Sequence, residues 1–142
     1  MHDFKYCIWM MPDKNHNWNK ITNGFNPHMT IKSHLELDQI FNILIEKFEN
    51  KKKSVQVKLI NKLYQSEFDG FFALIYDVQP VGEIPIWWPK DAHISFAYQY
   101  NKPFTQKEID NYEKKIINKN GLLSNININK CSGHFKSWKK YF

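Results

Sequence analysis

Two short stretches, Pro27-His28-Met29-Thr30-Ile31 and Ala92-His93-Ile94-Ser95-Phe96, repeat one pattern: histidine, apolar, hydroxyl, apolar. Strict alternation fits a strand, where successive side chains point to opposite faces, and does not fit a helix. His28, Thr30 and Lys32 then share one face while Met29 and Ile31 enter a core. His93, Ser95 and Ala97 likewise share a face opposite Ile94, Phe96 and Tyr98. Each strand is followed by a helix signal. Asp38 caps a helix to about Asn50, whose apolar stripe is Ile40, Phe41, Leu44, Ile45 and Phe48, and Lys51-Lys52-Lys53 suits its C-terminal end. Thr105, with Glu108 three residues on, makes a capping box for a second helix ending near Gly121.

The remaining segments read as strands and loops. Residues 4–11 form a buried strand stopped by Pro12-Asp13, and residues 13–27 form a polar loop containing Asn23-Gly24. Val55, Val57 and Leu59 alternate with polar residues, and Phe71 to Val78 is a second apolar run after the turn dipeptide Asp69-Gly70, so 54–78 reads as a hairpin. Three prolines and Trp87-Trp88 mark 79–90 as a loop, and Ile126 and Ile128 alternate in a late strand before an aromatic terminal segment. The order β, β, α, β, β, β, α, β predicts one α+β domain over residues 1–142 with an internal twofold echo.

Composition narrows the partner. All 20 basic residues are lysine against 14 acidic ones, for a net charge of +6, which favours an anionic ligand. Without arginine forks, phosphate has to be held by lysine, hydroxyls and backbone amides. The two cysteines, Cys7 and Cys131, are too few for a disulfide scaffold and lack zinc-ligand spacing, so neither metal nor cofactor is expected. No leader pattern and no membrane-spanning apolar run is visible, so the expectation is a soluble cytoplasmic protein with no membrane and no obligate protein partner.

The paired motifs suit phosphodiester cleavage. That reaction needs a base for the nucleophile and an acid for the leaving oxygen, and imidazole serves either role near neutral pH. A hydroxyl beside each imidazole can donate to the non-bridging oxygens as charge builds on them. His2, His16 and His34 read as terminal, loop and surface residues, and His134 is ambiguous.

These residues resemble the signature of the 2H phosphoesterase superfamily, which includes RNA 2′,3′-cyclic phosphodiesterases, LigT-type RNA ligases and 2′-5′ phosphodiesterases. The likeness rests on Ile8-Trp9-Met10-Met11-Pro12, Phe25-Asn26-Pro27-His28-Met29-Thr30, and His93-Ile94-Ser95-Phe96-Ala97-Tyr98 followed by Thr105 and Glu108, with a late Gly133 and Trp138. It implies a bilobal, pseudo-twofold α+β fold: two antiparallel sheets flank a central cleft, with the helices outside. It also implies His28 and His93 as acid and base, Thr30 and Ser95 holding the phosphate, and no metal. The motifs lie 65 residues apart (93 − 28), short for the cyclic phosphodiesterase branch, and the loop 79–90 stands where that branch often has a helix. Trp87 or Trp88 in that loop is a candidate for stacking on a base, worth ~1–3 kcal/mol, and Lys32 is a candidate phosphate contact. The expected substrate is a nucleotide or oligonucleotide carrying a ribose cyclic phosphate or a 2′-5′ linkage. Oligoadenylate or cyclic dinucleotide immune messengers, cleaved by a viral-type hydrolase, are one alternative, and a non-catalytic RNA- or nucleotide-binding module is another.

Overall fold

A computed structural model of the chain describes residues 3–39, 54–68, 71–86, 88–132 and 134–140. Residues 37–39 are helical, so the helix read from an Asp38 cap to about Asn50 starts before Asp38. Its residues 40–50, the Lys51-Lys52-Lys53 run, the Asp69-Gly70 turn, His2, Trp87, Gly133 and the terminal Tyr141-Phe142 lie outside the described residues. The described strands are β1 (Asp3–Pro12), β2 (Met29–Leu35), β3 (Val55–Phe68), β4 (Phe71–Pro80), β5 (His93–Tyr100), β6 (Asn120–Ser132) and the short β7 (Lys139–Lys140). One α-helix, α1 (Gln106–Lys115), lies between β5 and β6, and residues 17–20 and 135–137 form single 3-10 turns. The architecture is α+β and mostly antiparallel. Among the described residues no helix is long and apolar enough to cross a membrane.

Sheet order is β1-β2-β5-β4-β3-β6-β7, and β1 also pairs with β6, so the first six strands close into a ring. The two expected sheets are joined in that ring. The cause is the length of β6, whose residues 120–123 pair with β3 while 123–132 pair with β1. On the far side the join is thin, because β2 and β5 share the single register pair Met29↔Ile94.

Alternation sorts the side chains. Ile8 and Met10 of β1 enter the main core with Met29, Ile94, Phe96 and Ile128, whereas Cys7 and Trp9 face the other way into a smaller cluster with Cys131. Trp18, fully buried, stoppers the main core from the first loop, and its Nε1–H donates to the Asn118 carbonyl at 2.9 Å. Truncating such a side chain costs roughly 3–5 kcal/mol.

The second helix starts as its sequence predicts: Thr105 accepts from the Glu108 amide at 3.2 Å and Glu108 Oε1 from the Thr105 amide at 2.9 Å. It stops earlier than the sequence predicts, at Lys115, with Ile116 buried behind it. Gly121 is therefore no helix terminator. It sits in β6 against the Trp18 ring, where an added Cβ would stand 2.7 Å from a ring carbon. The final strand correspondingly starts at Asn120, not near Ile126.

Candidate active site

The seam between β2 and β5 places the two motifs. Continuing the antiparallel register of Met29↔Ile94 by one step sets His28 opposite Ser95 and Thr30 opposite His93. All four side chains then leave the same face, and each imidazole neighbours the other motif's hydroxyl. The two histidines become diagonal neighbours, a relation that typically separates Cβ atoms by about 7–8 Å. A cleft of about 310 Å³ is lined by His28, Thr30, His93 and Ser95 together, with Trp9, Tyr98 and Trp138 among its walls.

Both imidazoles are oriented in the same way. His28 Nδ1 lies 2.7 Å from the Asn26 carbonyl, and His93 Nδ1 lies 2.8 Å from the Asp91 carbonyl. A carbonyl oxygen only accepts, so each Nδ1 carries the proton, and Nε2 is the nitrogen left for chemistry. In both cases the acceptor is the residue two positions before the histidine.

A second shared device comes directly after each motif. Between Trp9↔Thr30 and Ile8↔Lys32 strand β2 advances two residues while β1 advances one, and between Ile75↔Ser95 and Leu74↔Ala97 strand β5 does the same against β4. Each motif strand thus carries one extra residue directly after its hydroxyl, a bulge that re-aims the side chains beyond it. The cleft consequently takes His28, Thr30 and Ser33 from one strand and His93, Ser95 and Tyr98 from the other, the same offsets of two and five.

The bulges correct the simple alternation. Lys32 is exposed and is not among the cleft-lining residues; Ser33 and His34 stand there instead. Ala97 is buried in the main core beside Phe96, and Tyr98 takes the cleft position that alternation gave to Ala97. His34, read from sequence as a surface residue, has φ of 58° and lines the cleft with its ring 5.5 Å from Phe4. Trp88 packs half-buried against the main core and is absent from the cleft lining, and Trp87 lies outside the described residues. His16 and His134 have structural work: each accepts from the backbone amide two residues on and so caps a 3-10 turn.

Surroundings separate the two histidines. His28 is 4% exposed, and its ring is stacked on Trp9 at 3.5 Å and 11°. Burial, with a smaller contribution from the charge of His93, lowers its pKa to about 3, against the opposing pull of the Asn26 hydrogen bond. At neutral pH His28 is therefore an uncharged imidazole with a lone pair on Nε2. His93 is half-buried at the start of β5. Burial also raises the Tyr98 phenol well above its ordinary range, although its hydrogen bond with Ser95 acts the other way, so Tyr98 stays protonated beside that hydroxyl.

The cleft's outer wall is aromatic. Trp138 meets Trp9 at 6.1 Å and Tyr98 at 5.4 Å between ring centroids, both edge to face. The loop bearing Phe25 and Asn26 is tied to β5 by the Asn23 side chain, which donates to the Tyr98 carbonyl at 2.8 Å and accepts from the Tyr98 amide at 3.1 Å. Cys7 and Cys131 line the cleft as free thiols, donating to the Phe4 and Asn129 carbonyls, and the nearby Cys7 thiol together with burial raises the Cys131 pKa. Among the described residues no group of three or more His, Cys, Asp or Glu side chains converges as a metal site. No family model matches the chain, and no curated protein matches it.

Proposed function

We propose that the chain is a metal-independent two-histidine phosphodiesterase, acting on a ribose cyclic phosphate or a 2′-5′ phosphodiester linkage, with the bilobal arrangement of the 2H phosphoesterases. The observation that carries this reading is one cleft lined by both histidines and both hydroxyls, each imidazole anchored at Nδ1 with Nε2 left for chemistry.

The asymmetry between the histidines assigns their roles. Uncharged His28 takes the proton of an attacking water at Nε2 as the water oxygen bonds to phosphorus. His93, in the role of acid, gives a proton from Nε2 to the ribose oxygen as the P–O bond breaks. The phosphodiester's negative charge raises the pKa of His28 on binding, which strengthens it as a base when substrate is present. Thr30 and Ser95 donate to the non-bridging oxygens from the wall they share with Tyr98.

The test is product release from 2′,3′-cyclic nucleotides and 2′-5′ dinucleotides with EDTA present. Turnover at an undiminished rate is expected. Turnover that EDTA abolishes overturns the metal-free mechanism, and failure to cleave any such diester replaces the enzyme with a nucleotide-binding module.

A further inference from the structure

Beside the catalytic cleft lies a second cavity, of about 370 Å³, that shares Trp9 and Trp138 with it. Its other walls include Phe25, Thr22, Asn26 and Asn129. Asn26 connects the two spaces, since its side chain lines the second cavity while its carbonyl holds His28 Nδ1. Asn129 lies one pairing step from the cleft floor, directly opposite Cys7 in the β1–β6 ladder.

Asn129 is the unusual member. It is 3% exposed, and its Nδ2 has no hydrogen-bond partner among the described residues. A buried amide donor left unmatched opposes folding, and an apolar side chain of similar shape avoids that penalty. No other described side chain that lines this cavity accepts from Asn129 Nδ2. Among the described residues the donor is therefore without an acceptor, and the cavity beside it is where one can enter.

The rest of the lining says what kind of acceptor. Among the described residues its lining is uncharged and largely aromatic and amide, which favours a neutral group over a phosphate. Two indoles and a phenyl ring are among its walls, and aromatic rings favour planar partners. A planar, uncharged group with an acceptor on its edge is a nucleobase, which proteins read by stacking plus edge hydrogen bonds. We infer that this cavity is the nucleobase subsite of the same substrate, Asn129 Nδ2 donating to a ring nitrogen or carbonyl on the base. The inference rests on the proposed function for the phosphate half of that substrate.

Binding separates the two claims. Wild-type protein is titrated with adenosine, AMP and ribose 5-phosphate, following tryptophan fluorescence and heat. Adenosine and AMP are expected to quench fluorescence, with AMP binding at least about tenfold tighter than ribose 5-phosphate. Asn129→Leu should close that gap to within about twofold without lowering Tm, because it removes an unmatched donor. Equal binding of AMP and ribose 5-phosphate by the wild type overturns the subsite without any variant. So does an Asn129→Leu protein that keeps its melting temperature and its preference for AMP, since the cavity then holds only water. Asn129-dependent base binding with no cleavage of any diester leaves the subsite standing and removes the proposed catalysis. Normal cleavage with equal KM for cyclic AMP-type and baseless cyclic phosphates removes the subsite and leaves the catalysis.

Discussion

The His28 and His93 halves share a skeleton and differ in their surroundings. Each has the same carbonyl anchor two residues upstream and the same extra residue after its hydroxyl. Yet among the described residues only His28 lies flat on an indole, 4% exposed. The backbone repeat fixes where each imidazole points, and burial keeps the His28 ring uncharged. Two strands with matching backbone devices can thus hold their histidines at unequal depth, and depth sets the protonation of His28.

The largest effects should come from breaking either half. His28→Ala and His93→Ala are each expected to lower kcat for a cyclic or 2′-5′ diester by about 10²–10⁴-fold with the circular dichroism spectrum preserved. If either variant retains near-normal turnover, the two halves are not acid and base.

A smaller effect sharpens the contrast in protonation. The unfolded chain binds a proton at His28 below about pH 6.5, whereas the folded chain resists it until about pH 3. Stability contributed by keeping His28 neutral is thus fully present above pH 6.5 and is lost as pH falls toward 3, at up to about 1.4 kcal/mol per pH unit. Urea unfolding of wild type and His28→Gln across that window measures it, and the variant should lose less stability on acidification. Parallel curves would mean that His28 titrates normally. The smallest effect is expected of Lys32→Ala, whose exposed side chain is outside the cleft lining, with kcat/KM changed by less than about twofold.

Much of the site was legible because it depends on period two. His28, Thr30, His93 and Ser95 follow from alternation and arrive on one cleft, and the Thr105–Glu108 capping box was legible for a similar reason, being a local pattern with a fixed spacing. Alternation failed beyond the hydroxyls because a bulge adds one residue without any characteristic residue type to announce it. Lys32 and Ala97 were misplaced, and Ser33 and Tyr98 missed, by that single step. The Asn26 and Asp91 carbonyls were illegible in a different way, since a backbone group has no letter of its own. The stack of Trp9 on His28 joins residues from two strands, and only the β1–β2 register reveals it. Gly121 reads as a helix stop, and its tertiary reason, the Trp18 ring, lies in a loop 103 residues earlier (121 − 18).

Strand β6 also has a consequence for how the molecule comes into being. It is the last long strand, yet it pairs with the first strand and with β3. A ribosome releases a chain from its N-terminal end, at about 5–20 residues per second. Both histidines therefore emerge well before the strand that closes the ring around them. During that interval the nascent β1 presents an unpaired edge and the Trp9 wall has no roof, so the competent site arises in one late step. Contacts this distant in sequence are slow to form, so closure of the ring is the slow step of folding.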